Sequence, residues 1–220
     1  MSNSSHPGGQ PLAIFGGTFD PVHYGHLRCA EEVRSQLGLG KVYLLPSGTP
    51  PHRNVPQAST PQRMEMLRLA LGEFPALGIN DCETRRSGPS YMVDTLMELK
   101  AAYPERPILL LLGQDVANDL HTWHEWERLF DFAHIVVLTR PGSTAEYRQD
   151  VAKKIERRTC ADAQTLLESQ SGGVLYLGVT SVDVSATMIK SIIRLGRSPG
   201  SMMPRAVWDY INENHLYLPV

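Results

Sequence analysis

The sequence predicts an α/β fold in which helices cover both faces of a doubly wound parallel sheet. Short aliphatic runs alternate with amphipathic stretches of helical length along most of the 220 residues. The runs are rich in Val, Ile and Leu, which is typical of strands buried on both faces. Alternating strands and helices are the arrangement that places parallel strands side by side through crossover helices.

Each predicted strand is an aliphatic run bounded by Gly, Pro or polar residues. The strands are predicted at 12–16, 41–46, 77–81, 107–112, 135–139 and 174–178. The helices between them are predicted at 22–37, 60–74, 91–103, 123–132 and 145–158, and two more follow at 186–195 and 204–214. The last two predict a small C-terminal helical cap, over about 185–220. Residues 1–10 are expected to be a flexible tail, and 11–220 a single domain.

Composition and charge exclude several classes of protein. The 21 basic and 23 acidic residues give a net charge of −2, so no global positive field attracts nucleic acid or anionic lipid. No apolar run approaches the roughly 20 residues of a membrane helix, and the first ten residues lack a secretory signal pattern. The three cysteines have no CxxC spacing, which favours a reducing, cytoplasmic location over a disulfide framework or zinc ribbon.

The strongest indication of a site is the string IFGGTFDPVHYGH at 14–26, where the first strand meets the first helix. Gly16 and Gly17 allow a phosphate to approach the backbone closely. We expect Asp20 to cap the helix and Pro21 to occupy its first position. The positive end of the helix then lies beside the glycines, which predicts a phosphate-binding loop.

Two histidines complete this predicted loop. His23 and His26 are three residues apart, which places both imidazoles on one face of the helix. Gly25 between them is expected to keep a side chain out of the way of the ligand. Two alternatives stay open: the histidines are polar surface residues, or they bind a metal with Cys29. The metal alternative is disfavoured because the HExxH pattern is absent.

The string GGTFDPVHYGH resembles the signature of the nucleotidylyltransferases that carry an HxGH motif. Members of this superfamily join a nucleoside triphosphate to a phosphate-bearing acceptor and release pyrophosphate. They also carry a motif of the form ISSTxIR, and residues 184–190 here read VSATMIK. Ser185 is expected to cap a helix that faces the phosphates, with Lys190 adding a cation. Ala186 and Lys190 depart from the pattern, since they replace a hydroxyl and an arginine.

The resemblance implies a Rossmann-like sheet and a set of ATP contacts. The implied ATP-binding residues are Gly16, Gly17, Thr18, Phe19, His23, His26, Gly113, Asp115, Ser185, Thr187 and Lys190. Of these, His23, His26 and Lys190 are the implied catalytic residues. Magnesium is expected to arrive with ATP and not to be held by a cage of carboxylates.

Five further strings resemble bacterial nicotinate-nucleotide adenylyltransferases. They are LPSGTPPHR at 45–53, GPSYMVDTL at 88–96, GQD at 113–115, TWHEW at 122–126 and TRPG at 139–142. The resemblance implies that Trp123 stacks on a pyridine ring and that Arg140 binds the acceptor's phosphate. The implied mononucleotide-binding residues are His52, Arg53, Tyr91, Met92, Trp123 and Arg140. Met92 stands where the family usually has a threonine, so only its backbone amide is expected to contact the nicotinate carboxylate.

The reaction implied by this resemblance joins ATP to nicotinate mononucleotide, giving nicotinate adenine dinucleotide and pyrophosphate in NAD biosynthesis. Small-molecule substrates are the expected partners, with neither nucleic acid nor membrane, and a homo-oligomer stays an open alternative. Two other functions also stay open. One is an HxGH adenylyltransferase for phosphopantetheine or nicotinamide mononucleotide. The other is a nucleotide-binding module without turnover, which the absence of GxGxxG disfavours.

Overall fold

A computed structural model describes residues 9–48 and 55–219. The strands in those ranges are β1 (Leu12–Gly17), β2 (Val42–Pro46), β3 (Leu77–Ile79), β4 (Ile108–Gly113), β5 (His134–Thr139) and β6 (Val174–Gly178). All of their pairings are parallel, and they form one sheet in the order β3-β2-β1-β4-β5-β6. This confirms the predicted doubly wound α/β fold.

Helices connect and flank these strands. They are α1 (Tyr24–Gln36), α2 (Thr60–Ala70), α3 (Cys82–Arg85), α4 (Met92–Ala102), α5 (Gln114–Asn118), α6 (Leu129–Phe132), α7 (Gln149–Glu156), α8 (Ala163–Leu166), α9 (Ala186–Arg194) and α10 (Arg205–Glu213). Short 3-10 turns lie at Leu120–Thr122, Trp126–Arg128 and Gly200–Met202. In the described ranges, no helix is both long and apolar enough to span a bilayer.

The predicted helices are wrong in two situations. In one, a side chain forms hydrogen bonds with the backbone in place of the helix, and in the other the helix is very short. The helix predicted at 145–158 begins only at Gln149, since the Asn118 side chain bonds the carbonyl of Thr144 and the amide of Glu146. The one predicted at 123–132 is a 3-10 turn followed by α6, and it starts after Glu125, whose φ is +48°. Helices α3, α5 and α8 were not predicted, because four or five residues show no helical period.

The core consists of two apolar clusters, one on each face of the sheet. Alternate strand residues divide between them: Ala13 and Phe15 of β1 belong to the first cluster, and Leu12 and Ile14 to the second. The first cluster also takes apolar side chains from α1, α2, α9 and α10, and the second takes them from α4, α6 and α7. Burial on both faces explains the continuous aliphatic character of the strands.

The strand order reverses between β1 and β4. From β1 the chain moves outward to β2 and β3, then returns to place β4 on the other side of β1. Phe15 of β1 pairs with Leu111 of β4, so the two strands end together at Gly17 and Gly113. Ligands of open α/β sheets bind in the crevice at such a reversal, which directs attention to these glycines.

Candidate active site

The loop after β1 folds back on itself around glycines. Phe19 is buried and takes a left-handed backbone conformation, with φ at +51°. Its ring lies over Gly17, where a β-carbon would be 2.8 Å from the nearest ring atom. Gly17 is therefore required because the Phe19 ring folds back over it. At Gly16, a β-carbon would contact the Met92 side chain.

Asp20 does not cap helix α1, and that prediction is wrong. The helix begins at Tyr24, with His23 in the capping position and no side-chain capping bond. Pro21 accordingly lies before the helix and not in its first turn. The Asp20 carboxylate is buried and accepts hydrogen bonds from the amides of Gln57 and Ala58. Its oxygens are thus occupied by a distant segment of the chain, which the local Asp-Pro pattern could not indicate.

The two predicted histidines stack on each other. The ring centroids of His23 and His26 are 3.8 Å apart, and the ring planes differ by 29°. His23 is 5% exposed, and the Nδ1 atoms of both rings are buried with no hydrogen-bond partner among the described residues. The pair is a polar element at the start of α1, and the His26 ring lines a cavity that lies beyond the end of β1.

Both imidazoles are neutral at pH 7. Burial lowers the pKa of His23 to about 4, and the nearby guanidinium of Arg140 acts in the same direction. Burial also holds the pKa of His26 well below its usual value, with further contributions from His23 and Arg140. The histidines therefore offer N–H donors without a positive charge of their own.

Gly25 is needed by the histidine pair itself and not to clear a path for the ligand. A β-carbon at this position would lie 2.9 Å from both Cε1 and Nδ1 of His23 and 3.2 Å from the Val184 carbonyl oxygen. Real β-carbons essentially never approach another heavy atom to within 3.0 Å. The glycine lets the His23 ring pack against the first turn of α1, and the expectation that Gly25 clears a path for the ligand is wrong.

The VSATMIK segment brings a second helix start to the same crevice. Ser185 caps α9 as predicted, accepting a hydrogen bond of 3.1 Å from the Met188 amide. Thr187 and Lys190 on α9 line a polar cavity over the ends of β1 and β4. The Lys190 ammonium forms an ion pair with Asp20, and its side chain is 17% exposed.

This polar cavity gathers most of the predicted ATP contacts. The predicted residues that line it are Gly16, Gly17, Thr18, Phe19, His26, Gly113, Asp115, Thr187 and Lys190, together with Arg140. His23 and Ser185 are not among the lining residues: His23 stacks on the His26 ring, and Ser185 caps α9. Arg140 is exposed, and none of the described residues accepts a hydrogen bond from its guanidinium. The lining carries two cations, Arg140 and Lys190, and two carboxylates, Asp20 and Asp115, of which Asp20 is paired with Lys190. Because the Arg140 guanidinium has no partner among the described residues, the cavity suits an anionic ligand.

A second, largely apolar cavity adjoins the first and contains the predicted pyridine contacts. Tyr91, Met92 and Trp123 line it, and His124 packs against the Tyr91 ring at a centroid distance of 4.3 Å. Tyr91 precedes α4 in an extended conformation, and Met92 is the first residue of that helix. The Met92 amide is therefore one of the helix's free N–H groups.

The two cavities share Phe15, Gly16, Gly17, Gly113 and Val116. Predicted contacts His52 and Arg53 lie outside the described residues.

Two buried charged residues of this region were not predicted from the sequence. Glu83 lines the apolar cavity and accepts a hydrogen bond of 2.8 Å from Thr95. Arg63 on α2 is 1% exposed and donates to the carbonyl oxygens of Thr18 and Ser47, thereby joining the loops after β1 and β2. A charged residue on the apolar face of α2 is a signal that could have identified Arg63.

The chain matches the family model described as cytidylyltransferase-like over residues 14–192. It is 38% identical over 218 residues to a protein of Acidithiobacillus ferrooxidans named "Probable nicotinate-nucleotide adenylyltransferase", covering 99% of each chain. The like-named protein of Methylococcus capsulatus is 42% identical, with 94% of this chain and 99% of that one covered. Plasmodium falciparum nicotinic acid mononucleotide adenylyltransferase complexed with NaAD has a similar fold, with TM-score 0.73, 15% identity and coverage of 94% and 97%.

Proposed function

The chain belongs to the cytidylyltransferase-like family and within it to the nicotinate-nucleotide adenylyltransferases, and from this premise we propose how its site works. It is a nucleotidyltransferase of NAD biosynthesis. ATP and nicotinate mononucleotide are joined to give nicotinate adenine dinucleotide and pyrophosphate. The polar cavity takes the triphosphate, and the adjoining apolar cavity takes the pyridine ring.

The observation that carries this assignment is the junction of the two cavities at Gly16, Gly17 and Gly113. The triphosphate of ATP beside Lys190, the acceptor's phosphate beside Arg140 and an aromatic ring against Trp123 would meet there, at the ends of β1 and β4. The reacting phosphates of the two nucleotides are then held side by side. Such positioning is the main contribution that a protein makes to phosphoryl transfer.

The chemical step is a direct displacement at the α-phosphorus of ATP. A phosphate oxygen of the mononucleotide forms the new bond to phosphorus, while the bond to the α,β-bridging oxygen breaks and its electron pair leaves with pyrophosphate. Neutral His23 and His26 donate hydrogen bonds to α-phosphate oxygens, where charge changes in the transition state. Lys190, together with the free amides of α9 that Ser185 orders, stabilises the departing pyrophosphate.

Magnesium belongs to the substrate in this proposal. Among the described residues, no group of three or more His, Cys, Asp or Glu side chains could hold a metal ion. Phosphate oxygens are ligands that Mg²⁺ prefers, so the ion would arrive with ATP and would supply charge neutralisation to the leaving group. We also place the reaction in the cytoplasm, a location that three free cysteines support.

Selectivity for the nicotinate carboxylate is assigned to backbone donors. The amide of Met92 lies at the N-terminal, positive end of α4, which favours an anion over an amide group. An amide acceptor would present N–H groups to these donors and leave them unpaired. The missing threonine hydroxyl therefore reduces this selectivity without abolishing it.

The test is pyrophosphate release from ATP with three acceptors: nicotinate mononucleotide, nicotinamide mononucleotide and phosphopantetheine. We expect the highest kcat/KM with nicotinate mononucleotide. A preference for nicotinamide mononucleotide would overturn the assignment of the acceptor, but the assignment of the chain as an adenylyltransferase would stand. ATP binding without pyrophosphate release from any acceptor would favour the module without turnover.

A further inference from the structure

The Asp20 carboxylate joins three separate parts of the chain at the edge of the polar cavity. One oxygen accepts hydrogen bonds from the Ala58 amide at 3.0 Å and the Tyr217 hydroxyl at 2.7 Å. The other accepts from the Gln57 amide at 3.0 Å and from the Lys190 ammonium. Both oxygens are thus fully used, which fixes the orientation of a carboxylate that is 6% exposed.

Tyr217 touches both members of this ion pair. It follows α10 close to the end of the chain and is 6% exposed. Its hydroxyl bonds Asp20, and its ring centroid lies 5.2 Å from the Lys190 nitrogen, within the range of a cation–π contact. The C-terminal segment therefore reaches the same lysine that the VSATMIK motif contributes.

The surroundings of Asp20 favour its ionised form. Burial alone would raise the pKa of Asp20, but its hydrogen bonds from Lys190, Tyr217 and the two amides lower the pKa overall. The buried guanidinium of Arg63 lies near enough to attract the Asp20 carboxylate as well. Asp20 thus stays a carboxylate at neutral pH and holds the Lys190 ammonium by charge as well as by hydrogen bonding.

We propose that Tyr217, acting through Asp20, is a positioning residue that holds the Lys190 ammonium over the polar cavity. The C-terminal segment thereby completes the polyphosphate-binding part of the site. The ammonium has three N–H groups, of which Asp20 takes one, so others remain to meet phosphate oxygens. A fixed ammonium loses less freedom on binding than a mobile lysine does. This inference rests on the proposed function, in which that cavity takes the triphosphate.

The test compares Tyr217→Phe with Tyr103→Phe, a control on an exposed tyrosine at the end of α4. Loss of one hydrogen bond to the carboxylate is expected to raise the Kd and KM for ATP by about 3- to 10-fold. The net free energy of a typical hydrogen bond corresponds to a change in affinity of about this factor. The KM for the mononucleotide should stay within about twofold. Binding of ATP alone, measured by calorimetry, gives a readout that does not depend on turnover.

A double-mutant cycle separates positioning from general stability. In a Lys190→Met background, Tyr217→Phe should have no further effect on kcat/KM for ATP, since the group that it positions is gone. An effect of the same size in both backgrounds, or equal rises in both KM values, would overturn the proposal. Asp20→Asn preserves side-chain shape and tests the same link; unchanged ATP binding in this variant would also overturn it.

Failure of the proposed function would give a different result. If the unmodified protein formed no dinucleotide, the reaction assigned to the site would be wrong, whereas the calorimetric comparison of Tyr217→Phe with the unmodified protein would still decide the positioning role. If the unmodified protein formed the dinucleotide and Tyr217→Phe bound ATP equally well, only the positioning role would be wrong.

Discussion

Replacement of Gly25 by alanine tests whether the position of the His23 ring controls the rate. The added methyl group would lie 2.9 Å from two atoms of that ring and 3.2 Å from the backbone oxygen of Val184. Carbon contacts are favourable at about 3.5–4.0 Å, so the ring must withdraw by about 0.6–1.1 Å. A misplacement of about 1 Å in a catalytic group can cost about 10²-fold in rate, and we expect kcat to fall by that amount.

The effect on stability should be much smaller. Overpacking costs about 1–3 kcal/mol, whereas replacing glycine by alanine in a helix gains about 1 kcal/mol. The net loss of about 0–2 kcal/mol corresponds to a fall in Tm of at most about 8 °C for a chain of this length. Thermal unfolding and steady-state pyrophosphate release should therefore separate a large loss of rate from a small loss of stability.

Gly40→Ala is the matched control. A methyl group there meets no atom within 4 Å, and the residue is not in the left-handed region. This variant should keep normal kcat. If Gly25→Ala turned over at the normal rate, or if both variants lost activity equally, the assignment of His23 as a positioned catalytic group would be refuted.

Three further predictions follow from the charges and contacts of the site. Arg140→Lys should raise KM for the mononucleotide more than KM for ATP, because lysine lacks the planar fork; equal changes in steady-state kinetics would place Arg140 elsewhere. Met92→Thr should leave unchanged or strengthen the preference for nicotinate over nicotinamide mononucleotide in kcat/KM, and a weakened preference would contradict the backbone-donor account. Burial lowers the pKa of His23 to about 4 from 6.5, so the unfolded chain takes up this proton first as the pH falls, and this group alone should lower the free energy of unfolding by about 2 kcal/mol between pH 7 and 5. In urea unfolding His23→Gln should make this pH dependence shallower, and an unchanged slope would argue against a buried neutral imidazole.

The fold was predictable because its strands carry their signal locally. Continuous aliphatic runs such as 108–112 are buried on both faces, and all six predicted strands occur within two residues of the expected bounds. The capped start of α9 was predictable for the same reason, since Ser185 bonds an amide only three residues away. Local sequence therefore determined the positions of the glycines, the histidines and the second helix start.

The connections within the site were not predictable in this way. Asp20 has the local sequence of a helix cap, yet its partners Gln57, Lys190 and Tyr217 are 37, 170 and 197 positions away. Tyr217 belongs to no motif, and its role is visible only when the C-terminal segment is folded against the first loop. Contacts at such separations depend on tertiary packing, which overrides local preference.

The most direct measurement of the central claim follows the phosphorus atoms of ATP. Two reactions with nicotinate mononucleotide would use ATP labelled either at the α- or at the γ-phosphorus. We predict that the α-label appears in nicotinate adenine dinucleotide and the γ-label in pyrophosphate. Transfer of the γ-label to the mononucleotide, or recovery of the α-label only in AMP, would contradict it.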